Sequence, residues 1–145
     1  MRLVLDTNVL VAGLRSDRGA SRKLLLGALD RKIEVIASVP LFLEYESVLT
    51  RPQHLTATGL SIDEMNAVLD ALAAVVERVQ LRFLWRARLK DPADEMVLET
   101  AANGRADRLV TFNVRHFLLA AKTFGIVVRT PPEVWKEVQL RNEKK

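Results

Sequence analysis

Residues 2–8 read Arg2-Leu3-Val4-Leu5-Asp6-Thr7-Asn8. A short unbroken aliphatic run is the pattern of a strand covered on both faces, and such strands belong to parallel sheets. The strand, Arg2 to Asp6, ends on a carboxylate, a group that is costly to bury unless something pairs with it. The rest of the chain alternates short aliphatic runs with longer segments of helical period. A helical turn at Asn8 to Leu14 and a helix over Ala20 to Asp30 lead to a second strand at Ile33 to Ala37. Helices follow at Pro40 to Arg51, with proline in the first turn, and at Ser61 to Val76, opened by the capping-box pattern Ser61-Ile62-Asp63-Glu64. Val79 to Phe83 reads as a short third strand. Beyond it lie a helix from Pro92 to Asn103 closed by Gly104, a strand from Arg108 to Thr111, and a helix from Arg115 to Phe124 ended by Gly125. A strand over Ile126 to Arg129 and a helix over Pro132 to Leu140 complete the order. Strands joined through helices predict an α/β fold, a parallel sheet covered on both faces, because parallel strands need crossovers.

In such a sheet the ligand site lies at the carboxyl ends of the strands, near the point where strand order reverses, and Asp6 stands at such an end. A cap for the helical turn at Asn8 accounts for the same residue equally well.

A second acidic stretch, Asp91-Pro92-Ala93-Asp94-Glu95, has the form of a helix start, with Asp91 as N-cap and proline at the first helical position. The direction of Asp94 is not explained by that form. At about 100° per residue it falls in line with Val97, Leu98 and Ala101, inside the apolar stripe, while Glu95 and Glu99 fall on the opposite, solvent side. An inward carboxylate must be neutral, paired or bound to a cation. The helix from Pro40 carries Glu44 and Glu46 at similar angles on either side of its apolar direction through Leu41, Tyr45, Val48 and Leu49, and periodicity does not choose between them.

Asp6, Asp94 and one of the two glutamates would make a set of hard oxygen ligands suited to Mg²⁺ or Mn²⁺, which also bind phosphate oxygens. The absence of cysteine removes disulfides, thiolate metal sites and cysteine nucleophiles, and only two histidines, His54 and His116, are present, so any metal is held mainly by oxygen. The 145 residues, 49% hydrophobic and 28% charged, fit one globular domain over 1–145, without repeat, linker or low-complexity tract. No apolar run reaches the roughly 20 residues of a membrane helix and the N-terminus lacks a signal-peptide layout, which predicts a cytoplasmic protein without membrane contact. A net charge of +4, carried largely by arginine, is compatible with a phosphate-rich partner. Thr111-Phe112-Asn113 would face the crevice if the fourth strand neighbours the first. Phe83-Leu84-Trp85-Arg86-Ala87-Arg88 alternates aromatic and basic residues, a pattern that serves base stacking or ordinary packing.

Four stretches together resemble the PIN-domain nucleases, in particular the VapC-like toxins of toxin–antitoxin systems. They are Leu3 to Asn8; Ser38 through Leu43-Glu44-Tyr45 to Pro52; Asp91 to Glu95; and Ala106-Asp107-Arg108-Leu109-Val110-Thr111-Phe112-Asn113-Val114-Arg115-His116-Phe117. The resemblance implies a three-layer α/β/α sandwich with four to five parallel strands in the order 3-2-1-4-5, and metal-dependent endonuclease cleavage of RNA. It places the catalytic and metal-holding acids on Asp6, Glu44 and Asp94, choosing Glu44 over Glu46. Thr7, Asn8, Ser38 and Asp91 match supporting polar positions, and Arg115 is a candidate for the RNA phosphate. It implies Mg²⁺ or Mn²⁺ as cofactor, a cognate antitoxin and a second copy of the chain as partners. The departure is Asn113, where many of these nucleases carry aspartate; asparagine brings no charge, so a second cation would bind more weakly. That departure motivates the alternative of a PIN-fold RNA- or protein-binding module with little or no turnover. A haloacid-dehalogenase-type phosphatase would need aspartate at Asn8, and a receiver domain would need a lysine where Arg129 stands.

Overall fold

The computed structural model describes residues 1–82 and 91–143. The aromatic and basic stretch from Phe83 to Arg88 lies outside the described residues. In chain order the elements are β1 (Arg2–Leu5), α1 (Thr7–Arg15), α2 (Ala20–Leu29), β2 (Glu34–Ala37), α3 (Val39–Leu49), α4 (Pro52–Thr58), α5 (Ile62–Val75) and β3 (Glu77–Arg78). They continue with α6 (Pro92–Asn103), β4 (Arg108–Val110), α7 (Val114–Thr123), β5 (Val128–Arg129) and α8 (Pro131–Glu143). The strands form one sheet in the order β3-β2-β1-β4-β5, with every pairing parallel. This is the PIN-like α/β arrangement expected.

Leu3, Val4 and Leu5 are fully buried because β1 is the central strand, flanked by β2 and β4 and roofed by helices. Each such aliphatic side chain contributes about 1.5–3 kcal/mol on leaving water. Helix α2 packs on α1, α5 and α8, and α6 packs on α3, α7, β1 and β4. The capping box of α5 is present in both directions: Glu64 N–H donates to Ser61 Oγ and Ser61 N–H donates to Glu64 Oε1.

Several boundaries differ from expectation for identifiable reasons. The third strand lies at Glu77–Arg78, two residues before Val79 to Phe83, and both of its residues are exposed. Val79 N–H still donates to Ala37 O at 2.9 Å, so the apolar signal marks the residue that follows the strand into the core. The helix read to Arg51 ends at Leu49, and Pro52 opens a separate helix, α4, rather than only ending α3. Gly104 closes α6 for lack of space rather than for handedness. A Cβ there would meet Ile36 Cδ1 at 2.5 Å and Val79 Cγ2 at 2.7 Å, and the left-handed residue is the next one, Arg105, at φ 52°. Glu99, expected on the solvent side of α6, is buried. Residues 97–101 are all buried, since α6 is enclosed by sheet and helices over more than one stripe.

At the N-terminal ends of the strands, arginines pair with acids. The Arg2 guanidinium reaches Glu34 at 2.6 Å and also Glu77 and Gly104 O, while Arg2 N–H donates to Asp107 Oδ2 at 2.7 Å. Arg108 holds Glu137 through Nε at 3.0 Å and Nη2 at 2.7 Å. Asp107 therefore stands at the opposite end of the sheet from Asp6.

Candidate active site

The register of the central strands assembles the site. Leu5 pairs with Val110, so one step on Asp6 stands beside Thr111, and Asp6 N–H donates to Val110 O at 2.9 Å. Asp6 occupies the N-cap position of α1, yet its side chain makes no capping hydrogen bond. Its Oδ2 accepts instead from the Thr111 hydroxyl at 2.7 Å, with both residues buried. Capping does not account for this carboxylate.

Asp94 lies in the first turn of α6 and is buried, as the helical count predicted. Asp91, the N-cap, accepts from Ala93 N–H at 2.9 Å and remains exposed. Asp94 Oδ2 is 3.2 Å from His116 Nδ1, which reaches it from the first turn of α7. Burial pushes the Asp6 carboxyl above the usual range; the Thr111 hydroxyl opposes this, and the charge of Asp94 adds to it. Burial and then the charge of Asp91 push Asp94 upward, against the hydrogen bond from His116. Among the described residues neither acid forms an ion pair with lysine or arginine.

The other expected residues sort as follows. Glu44 on α3 is half-buried. Glu46 is exposed and lines a 240 Å³ groove with Phe42, Ala73, Val76 and Arg78, on the other flank of the helix. Among the described residues no three histidine, cysteine, aspartate or glutamate side chains come together closely enough to hold a metal ion. Asp6 thus feels the charges of Asp94 and Asp91, Asp94 feels that of Asp91, and Glu44 is not gathered into a ligating trio with them. Thr7 is buried at the start of α1, and Asn8 Oδ1 accepts from Phe112 N–H at 3.4 Å, tying α1 to the turn after β4. Ser38, buried at the N-cap of α3, accepts from Leu41 N–H and shares a 2.7 Å hydrogen bond with Thr100 Oγ1. Asn113 and Arg115 are exposed, and Asn113 N–H donates to Thr111 Oγ1 at 3.0 Å.

Three contributors were not assigned roles from the sequence. Thr111 is one, legible only once β4 is known to neighbour β1. His116 is the second; the count of histidines spoke against a histidine cage and said nothing of a single ring beside Asp94. Tyr45 is the third, fully buried, with its hydroxyl donating to Leu5 O, the residue before Asp6. Burial first and the charge of Asp6 second raise its phenol, so it stays protonated. A 930 Å³ cavity lined by Val39, Arg78, Leu81 and Glu99 lies on the β3 side and includes neither Asp6 nor Asp94.

The donor set fits a hard divalent cation: two buried carboxylates, with the charge of Asp94 acting on Asp6 and that of Asp91 on both. The Asp6 carboxylate is held by the Thr111 hydroxyl and the Thr7 backbone N–H, and Asp94 Oδ2 by His116.

A family model described as PIN domain matches residues 2–115. The solved structure of VapBC2 from Rickettsia felis bound to a DNA fragment from their promoter holds a chain 14% identical to this one, covering 90% of this chain and 98% of that chain, with a TM-score of 0.62. That likeness is one of fold. A search of curated proteins finds no match.

Proposed function

This chain belongs to the PIN-domain family, and from that premise we propose that it is a Mg²⁺- or Mn²⁺-dependent endoribonuclease, the toxin of a toxin–antitoxin pair. The observation that carries the reading is the pair of buried acids beside the carboxyl ends of the central strands, Asp6 and Asp94, each raised in pKa and neither paired with lysine or arginine among the described residues. Asp6 and Asp94 would hold the cation. When bound, it offsets their repulsion and makes water a better nucleophile toward a phosphodiester. Glu44, half-buried on the adjoining helix and outside a ligating trio, suits the task of accepting the proton of the attacking water. Asn8 and Asn113 would orient substrate with neutral polar groups, while buried Thr7 and Ser38 fix the starts of α1 and α3. Exposed Arg115 follows β4 and supplies a guanidinium for the RNA phosphate. Asp91 fixes the start of α6 and so the direction of Asp94.

The partners are a cognate antitoxin and a second copy of the chain, acting in the cytoplasm. The exposed apolar side chains Leu43 on α3 and Leu118 and Leu119 on α7 supply surface for such contacts. No helix among the described residues is long and apolar enough to cross a membrane. The second reading, a binding module without turnover, is favoured by Asn113, which adds no charge beside the acids.

Cleavage of a mixed RNA pool by purified protein, with Mg²⁺, Mn²⁺ or EDTA, tests the proposal beside folded Asp6→Asn and Asp94→Asn variants. Metal-dependent cutting lost in both variants is expected. Equal cutting by the variants would overturn the site assignment, and RNA bound but never cut would favour the binding module.

A further inference from the structure

Each buried acid meets a side-chain donor from the same short segment, the turn after β4 and the first turn of α7. The Thr111 hydroxyl takes Asp6 Oδ2 at 2.7 Å, and His116 Nδ1 takes Asp94 Oδ2 at 3.2 Å. The segment is itself braced: Asn113 N–H donates back to Thr111 Oγ1, Phe112 N–H reaches Asn8 Oδ1, and the fully buried Phe117 anchors α7 directly after His116. The imidazole is about half exposed, with 56% of its side-chain surface accessible against 11% for Asp94, so the contact adds little to the core.

We infer that His116 is the positioning residue for Asp94, its Nδ1–H holding one carboxylate oxygen so that the other faces a cation. An ionised carboxylate can only accept hydrogen bonds, so the ring nitrogen facing Asp94 must carry the hydrogen, and Nε2 is left directed elsewhere. Such partners of a metal-holding side chain fix its orientation and shape the affinity of the site. Asn113, the position where the sequence departs from its family, does not perform this task. Its N–H supports Thr111, and no hydrogen bond links it to Asp94. The inference rests on the cation reading of the proposed function.

The test is Mn²⁺ affinity, measured by electron paramagnetic resonance on the full chain, for wild type, His116→Ala, His116→Asn and His116→Gln, with melting curves on the same samples. Asparagine places its amide nitrogen at the position of Nδ1, whereas glutamine places it one bond farther along, near that of Nε2. Alanine and glutamine are expected to weaken Mn²⁺ binding about tenfold or more while asparagine largely restores it, all at an unchanged melting temperature. Wild-type affinity in His116→Ala would overturn the inference. So would equal weakening by asparagine and alanine, or a fall in melting temperature that tracks the lost affinity. Absence of Mn²⁺ binding by the wild type would overturn the cation reading itself, and the inference with it, which separates the two failures.

Discussion

At the N-terminal ends of the strands, Glu34 and Glu77 share the Arg2 guanidinium, Asp107 accepts from Arg2 N–H, and Glu137 is held by Arg108. Beside the carboxyl ends of β1 and β4, Asp6 is held by the Thr111 hydroxyl and the Thr7 backbone and Asp94 by His116, with no lysine or arginine pairing among the described residues. The two ends are built from the same sheet, and Glu77 at one is shifted opposite to Asp6 and Asp94 at the other. Glu77 is held below the usual carboxylate range by its hydrogen bond to Glu34 and by Arg2, while Asp6 and Asp94 are pushed above it by burial. Acids at one end stabilise the fold. Those at the other are buried carboxylates without a cationic side chain, a cost that the proposed cation would offset, as in a site retained for function rather than for folding.

The largest effect that would break this contrast is on turnover. Asp6→Asn and Asp94→Asn should each lower RNA cleavage by a factor on the order of 10³, several kcal/mol of transition-state stabilisation, measured under single-turnover conditions. Both variants should melt no lower than wild type in EDTA. Next comes Glu44→Gln, expected to lose about a hundredfold in rate with Mn²⁺ affinity little changed, as for a proton acceptor outside the metal's ligands. Retained turnover would remove Glu44 from the mechanism.

Stability predictions follow at a smaller scale. Tyr45→Phe leaves the buried Leu5 carbonyl without its hydroxyl donor and should cost about 1–2 kcal/mol in urea unfolding. Arg2→Ala, at the opposite end of the sheet, should cost about 1–2 kcal/mol and leave cleavage untouched, since it removes partly exposed pairings and the bond to Gly104 O. An effect of Arg2→Ala on cleavage would show that the two ends are coupled.

The pH dependence sharpens the contrast through its sign. A raised acid binds more protons folded than unfolded between its two pKa values, so without metal the contribution of Asp6 and Asp94 falls as pH rises through their folded values. The doubly substituted Asp6→Asn, Asp94→Asn protein should therefore gain stability relative to wild type in EDTA as pH rises above the ordinary aspartate value. Glu77 runs the other way. Its contribution is present above the unfolded pKa and is lost as pH falls through the lowered folded value, and its exposure keeps it small.

Much of this architecture was legible in the order of residues because the signals were local. The Leu3-Val4-Leu5 run could be only a buried strand, Ser61 with Glu64 could be only a helix start, and the angular position of Asp94 among Val97, Leu98 and Ala101 turned it inward. Pairings across the chain were less accessible. Thr111 meets Asp6 across 105 residues, and His116 meets Asp94 across 22. Such contacts follow from strand register and helix packing, which no window of sequence contains. Glu99 misled for a related reason: its angle on α6 is polar by count, but α6 is enclosed on more sides than a surface helix. Strand β3 was displaced because its two paired residues, Glu77 and Arg78, carry no apolar signal.

The central claim is that the Asp6–Asp94 pair is incomplete without a divalent cation, and a melting-temperature titration with Mn²⁺ at neutral pH tests it most directly. The wild type should rise in melting temperature with Mn²⁺ concentration, as binding to the folded state alone requires, while Asp6→Asn and Asp94→Asn start as high in EDTA and gain little. A wild type indifferent to Mn²⁺, or variants that respond as strongly as it does, would contradict the account.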